Sequence, residues 1–218
     1  MHKVTEVSME IDVLAENRRI AAENHRLLRS KGIRSIDVMG SIGSGKTALI
    51  ERIALELIKS GKRPAAIAGD VAGQDDYDRF RALDIPAVNI NTGKECHLDA
   101  HLVGHALEKL DLDSIDFLLI ENVGNLVCPA DFPLGTDKRL VIISVTEGDD
   151  MVRKHPMIFS VADVAALNKI DLVPYLTVDP QRILSDYQRI KKNAVLHLIS
   201  VKTGEGLEEL MRDLGIEL

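Results

Sequence analysis

A chain of 218 residues, 45% apolar but only 3% aromatic, suits one α/β domain with a core of Ile, Leu, Val and Ala. Its net charge of −7 argues against nucleic acid as the main partner. No stretch is apolar enough to span a bilayer and nothing resembles a signal peptide, so no membrane association and a cytoplasmic location are expected. Two cysteines cannot build a disulfide scaffold and point to free thiols or metal ligands.

In chain order, residues 8–31 read as a helix, with Val7, Ile11, Leu14, Ile20, Leu27 and Leu28 as a loose apolar stripe and Gly32 as its stop. Residues 1–32 are thus expected to pack on the domain or on a second subunit, with residues 33–218 forming the phosphate-loop domain. An apolar strand over 33–39 leads into Gly40-Ser41-Ile-Gly43-Ser44-Gly45-Lys46-Thr47, and a helix is predicted over 46–59. This segment matches the phosphate-binding pattern G-x-x-x-x-G-K-S/T, with the strand before it and the helix after it that the pattern needs. Its backbone N–H groups turn inward around phosphate, beside the positive end of the helix dipole. Lys46, expected at the exposed mouth of the sheet, reaches the β- and γ-phosphates, and the Thr47 hydroxyl becomes a magnesium ligand. A nucleoside triphosphate is the implied ligand.

A second strand, 64–69, ends at Asp70, and the stretch Gly73 to Tyr77, with Asp75 and Asp76, reads as a switch segment. After a strand at 86–90 comes Cys96-His97, opening a predicted helix over 97–110. On that helix His97, His101 and His105 recur every fourth residue beside a stripe of Leu98, Leu102, Ala106 and Leu110. Such a pair can chelate a second metal ion, or His101 and His105 can be plain surface histidines; with no H-E-x-x-H, proteolysis has no support. The strand at 115–121 ends on Glu121, which with Asp70 and Lys46 forms the expected catalytic set, the two carboxylates facing magnesium directly or through water. Gly124 then lets a backbone N–H approach the γ-phosphate, and Cys128 follows on the same loop. Two soft thiolates and an imidazole suit zinc, nickel or copper, but three ligands under-fill such an ion. Water or a second subunit would complete it, and unliganded thiols remain the alternative.

Strands at 139–145 and 162–168 lead to Asn168-Lys169-Ile-Asp171 at a strand end, where open α/β sheets bind ligands. Asp171 can accept from guanine N1–H and its exocyclic amine, Asn168 can tie this loop to the phosphate loop, and the Lys169 stem can cover the base. A helix over 179–191 and a strand over 194–199 precede Ser200-Val201-Lys202-Thr203-Gly204, similar to the last guanine-contacting loop of GTPases, and a helix follows over 206–213. These loops agree on GTP. The alternation of strand and helix implies an α/β fold with a mostly parallel sheet and helices on both faces.

Taken together, the phosphate loop, Glu95-Cys96-His97, Glu121-Asn-Val-Gly-Asn-Leu-Val-Cys128-Pro129 and Asn168-Lys-Ile-Asp171 resemble the HypB family of hydrogenase nickel-incorporation GTPases over residues 8–218. The related urease accessory GTPases carry a Cys-Pro-His metal motif, whereas here the proline follows Cys128 and the histidine follows Cys96. The resemblance implies a GTP- or metal-dependent homodimer, with Cys96, His97 and Cys128 holding nickel or zinc at its interface. It further implies a HypA-like nickel-binding partner and the nickel–iron hydrogenase large-subunit precursor as recipient. Some family members carry a cysteine-rich nickel motif or a histidine-rich tract, and neither is present in this sequence. No glutamine or arginine stands out as a catalytic finger, so slow intrinsic turnover is expected. Alternative functions are a GTPase accessory protein for another metalloenzyme, such as urease or a cobalamin-dependent mutase, and a nucleotide-gated metal buffer. With 7 histidines and no tract of them, bulk storage is disfavoured.

Overall fold

A computed structural model describes the backbone of residues 2–217 and the side chains of residues 12–217. The strands are β1 (Arg34–Gly40), β2 (Pro64–Asp70), β3 (Ala87–Asn91), β4 (Phe117–Glu121), β5 (Lys138–Ser144), β6 (Val164–Asn168) and β7 (Leu196–Leu198). They form one sheet in the order β3-β2-β4-β1-β5-β6-β7, with every neighbouring pair parallel. Six of the seven residues of β1 are buried, which a parallel strand covered on both faces requires.

The helices are α1 (His2–Ser30), α2 (Lys46–Lys59), α3 (Asp75–Arg81), α4 (Ala100–Leu107), α5 (Met151–Lys154), α6 (Pro156–Val161), α7 (Pro180–Ile190) and α8 (Leu207–Asp213). On one face α2, α3 and α8 pack over Ile36, Val38, Ala66, Leu119 and Ile142. The other face carries two separate apolar clusters. One joins α1 and α4 to Ile67, Leu118 and Ile120, and the other joins α6 and α7 to Met39, Val141, Ile143 and Leu167. Because side chains alternate along a strand, Asp37 of β1 falls on this second face, between the two clusters.

Three sequence expectations change. The face that α1 buries is Asn17, Ala21, Asn24 and Leu28, so of the apolar stripe only Leu28 is fully buried among the described residues; Leu27 is exposed and Leu14 and Ile20 are half-buried, while the side chains of Val7 and Ile11 lie outside the described residues. The two asparagines turn inward because they meet backbone groups there. Asn17 accepts from Ala100 N (2.8 Å) and donates to Pro133 O (3.0 Å), and Asn24 donates to Ala100 O (2.7 Å) and Leu134 O (3.1 Å). The helix expected over 97–110 starts at Ala100, since the Asp99 carboxylate accepts from Leu102 N (2.7 Å) and caps it. His97 therefore stands on the preceding loop, off the helix that carries the exposed His101 and His105. Finally, part of the presumed switch stretch is helical: α3 is anchored by Phe80, whose burial is worth about 1.5–3 kcal/mol.

Candidate nucleotide and metal sites

The carboxyl ends of β1, β2, β4 and β6 converge on the phosphate loop. Gly45 takes φ +104°, and a side chain there would collide with Asn168 Nδ2 at 2.4 Å. Asn168 uses that space to donate to Ser44 O (2.9 Å) while accepting from Val201 N (3.2 Å), which joins three loops in one contact. Lys169 Nζ donates to Gly43 O (2.7 Å). Gly124 is also packed closely: an added Cβ would lie 2.4 Å from Ile42 Cγ1. The loop after β4 thus rests directly against the phosphate loop.

Lys46 stands at the strand mouth but is buried, at 7% exposure, where an exposed position was expected. Its ammonium turns back to donate to Ser41 O (3.1 Å) and lies 4.0 Å from Glu121 Oε1. Burial lowers its pKa, against the pull of Glu121 and the other carboxylates nearby. Thr47 Oγ1 donates to Glu121 Oε1 (2.9 Å), whereas Glu121 Oε2 is buried without a partner among the described residues. Burial first, and then the charge of Asp76, push the Glu121 carboxyl up to about 7. Thr47, Asp70 and Glu121 line a cavity of ≈ 400 Å³ together with Lys46, Asp76 and Gly124. An orphaned carboxylate oxygen beside a hydroxyl and a second carboxylate fits a hard divalent cation such as magnesium.

Beside it lies a second cavity of ≈ 500 Å³, with Ala48, Leu55, Leu172 and Val201 as apolar walls and Asn168, Lys169, Asp171 and Lys202 at its polar edge. Its apolar walls and convergent polar groups suit a nucleobase. Asp171 Oδ1 accepts from Ser200 Oγ (2.7 Å), which fixes the carboxylate. The residues expected to read guanine are therefore gathered around one cavity.

Cys96, His97 and Cys128 also come together: their ligand atoms all lie within 4.8 Å of one another. Cys96 Sγ–H points at Cys128 Sγ, 2.7 Å away, and both thiols are free and half-buried. The hydrogen bond from Cys96, followed by burial, raises the Cys128 pKa. Burial lowers the pKa of His97, whose ring packs 3.9 Å from that of Phe132. Neutral imidazole is the ligating form, and a metal entering between the thiols would displace their protons. His101 and His105 form a separate exposed pair with Nε2 atoms 3.1 Å apart.

Several residues at these sites escaped the sequence reading. Glu147 reaches from the turn after β5 to accept from Ser41 Oγ (2.5 Å) and Ser144 N (2.8 Å). Arg79 of α3 enters the phosphate cavity and pairs with Glu51 (2.5 Å). Asn122, between Glu121 and Val123, is fully buried. An acid closing a Ser-x-x-Glu capping box was a usable signal for Glu147; the others are placed by tertiary contacts alone.

The parallel sheet, the phosphate loop at the end of its central strand and the two adjoining cavities define a phosphate-loop nucleotide-binding protein, here with a thiol–imidazole cluster on the adjacent loop. Residues 35–197 match the family described as CobW/HypB/UreG, nucleotide-binding domain. The chain is 50% identical over 211 residues to the probable hydrogenase maturation factor HypB of Methanocaldococcus jannaschii, covering 97% of this chain and 95% of that one. The HypB of Azotobacter vinelandii, 44% identical, is longer, and the chain spans 66% of it. Among solved structures, HypB from Archaeoglobus fulgidus superposes with a TM-score of 0.84 at 47% identity, over 92% of this chain and 98% of that one. HypB from Helicobacter pylori in complex with nickel gives 0.85 at 35% identity, over 91% and 93%. The chain belongs to the HypB branch of the CobW/HypB/UreG family, which are phosphate-loop GTPases.

Proposed function

We propose that this protein is a GTP-hydrolysing nickel metallochaperone that assists nickel insertion into the large-subunit precursor of a nickel–iron hydrogenase. The observation that carries this reading is the segment from Glu121 to Cys128. It starts in the phosphate cavity, rests on Ile42 of the phosphate loop at Gly124, and ends at a thiol 2.7 Å from Cys96. The printed names of the relatives and the nickel complex of the Helicobacter pylori protein support nickel as cargo and hydrogenase maturation as the setting.

In this mechanism the phosphate-loop amides hold the α- and β-phosphates, and Lys46 leaves the Ser41 carbonyl for the β- and γ-phosphates. Asp171 and Lys169 read and cover the guanine, with Asn168 keeping their loop in register with the phosphate loop. Thr47, Glu121 and Asp70 would hold magnesium, which when bound neutralises phosphate charge. A γ-phosphate bearing on Gly124 moves the segment that ends in Cys128, so the spacing of the soft donors follows the nucleotide state. Three donors leave the cargo metal under-coordinated, and a second copy of the chain completes it in a dimer that GTP favours and hydrolysis releases. A HypA-like protein delivers or receives the metal.

The test is calorimetry of nickel(II) binding in the GDP state and with a non-hydrolysable GTP analogue. A ratio of affinities of about 5–150-fold between the states is expected, with the reciprocal effect of nickel on GTP affinity. Equal affinities in both states would refute the switch.

A further inference from the structure

On the sheet face opposite α2, the two apolar clusters are separated by a buried polar junction. Asn122, the residue after Glu121, donates from Nδ2 to Asp37 Oδ1 (3.0 Å). Its Oδ1 accepts from Leu98 N (3.1 Å), next to His97, and from its neighbour Val123 N (3.0 Å). Asp37 Oδ2 faces Arg139 Nε at 3.7 Å, across register partners of β1 and β5. Arg139 in turn donates from Nη2 to Pro129 O, next to Cys128. Asn122 and Asp37 have no exposure, and Arg139 is nearly buried.

Apolar residues of similar volume would pack such a site without the penalty of a buried carboxylate. Burial does raise the Asp37 carboxyl, to about 6, even with Arg139 beside it. The polar groups are informative for what they hold: one arm ends beside His97 and Cys96, the other beside Cys128, and at the centre stands Asn122, the residue that follows Glu121. The contact at 3.7 Å is longer than a hydrogen bond and leaves both Asp37 Oδ2 and Arg139 Nε without a partner. That gap is room for a second, closer arrangement.

We infer that Asp37, Asn122 and Arg139 form the internal link that converts displacement of the loop after Glu121 into a change in the separation of Cys96 and His97 from Cys128. Asn122 and Arg139 are positioning residues: the Asn122 amide, at the border of the phosphate cavity, is bonded to Asp37, Leu98 and Val123, and Arg139 lies outside both cavities. A shift of Asn122 pulls Leu98 through one arm and, through Asp37, lets Arg139 close or release its hold on the Pro129 carbonyl. This rests on the proposed coupling of nucleotide state to metal affinity, which the same experiment examines independently.

The test compares nickel(II) affinity in the GDP and GTP-analogue states for the parent, Asn122→Asp, the exchange Asp37→Asn/Asn122→Asp, and Arg139→Gln. Asn122→Asp sets two carboxylates against each other and breaks the link while keeping the acceptor for Leu98 N. The exchange restores one donor and one acceptor in reversed order. Both Asn122→Asp and Arg139→Gln should bring the affinity ratio between states to within about twofold of unity, and the exchange should recover most of the parental ratio, itself about 5–150-fold. A merely structural junction would lower affinity or melting temperature in both states alike and leave the ratio intact. If Asn122→Asp does not fold, Arg139→Gln and the exchange carry the same comparison. A parent with equal affinities overturns the switch and the link with it; a coupled parent whose variants keep its ratio overturns the link alone.

Discussion

The nucleotide cleft and the thiol cluster are neighbours at the carboxyl end of one sheet, yet they are held in different ways. In the cleft four side-chain contacts cross from one loop or strand end to another: Asn168 on Ser44, Lys169 on Gly43, Ser200 on Asp171 and Thr47 on Glu121. Cys96, His97 and Cys128 are half-buried, on two loops, with each other and Phe132 as side-chain neighbours. Preorganised sites bind without reordering, whereas a site on adjustable loops can have its affinity set from elsewhere. The rigid half reads; the adjustable half responds.

The largest effect should come from the rigid half. Lys46→Ala should lower GTP hydrolysis by about 10²–10³-fold or more, as measured by phosphate release. The melting temperature should not fall, because the lysine is buried and its charged form is disfavoured there. Parental turnover in this variant would remove Lys46 from the phosphates. In the adjustable half, Cys128→Ser should weaken nickel and zinc binding by more than the roughly 10–100-fold typical of losing a supporting residue. GTP affinity without metal should stay parental; a drop there would mean the two halves are not separable.

Asp171→Asn comes next. Replacing an acceptor that serves two guanine donors should cost about 1.5–3 kcal/mol in GTP affinity, or one to two decades in Kd. Unchanged GTP binding would reassign the second cavity. The smallest effect concerns protons. With its carboxyl pushed from 4.5 to about 7, Glu121 keeps a proton in the native state that the unfolded chain releases. Stability of the nucleotide-free protein should therefore decrease as pH rises from about 4.5 through about 7 and then level off, and Glu121→Gln should flatten that slope in denaturation series. Magnesium-dependent nucleotide binding runs the other way, weakening by up to about tenfold per unit below pH 7 because the cation needs the carboxylate.

How much of this the sequence disclosed depends on how local the cause is. The phosphate loop, Asn168 to Asp171 and the buried strands are legible because a glycine pattern or an apolar run fixes each within a few residues. Asp99 is likewise a readable cap, and it sets His97 before a helix that begins at Ala100 even though the histidine spacing alone extends the helix back to it. The inward face of α1 is only partly legible: Leu28 of the apolar stripe is buried, but asparagines score as solvent-facing, and only backbone groups at positions 100, 133 and 134 give Asn17 and Asn24 a reason to be buried. Asp37 and Arg139 are 102 residues apart in sequence (139 minus 37) and become neighbours through strand register, which composition does not encode. The acidic, short α3 shows little helical periodicity, and only the buried Phe80 and the half-buried Tyr77 dock it.

The asparagine latches of α1 bear on how the molecule opens. Asn17 and Asn24 bond to Ala100, three residues past His97, and to Pro133 and Leu134, a few residues past Cys128. Lifting α1 would expose those backbone groups together, so the helix and both metal-bearing segments belong to one local unfolding unit. In amide hydrogen exchange their protection should rise and fall as a block, separate from the strands beneath. A metal ion clasped between the segments would then slow the exchange of a helix it never touches.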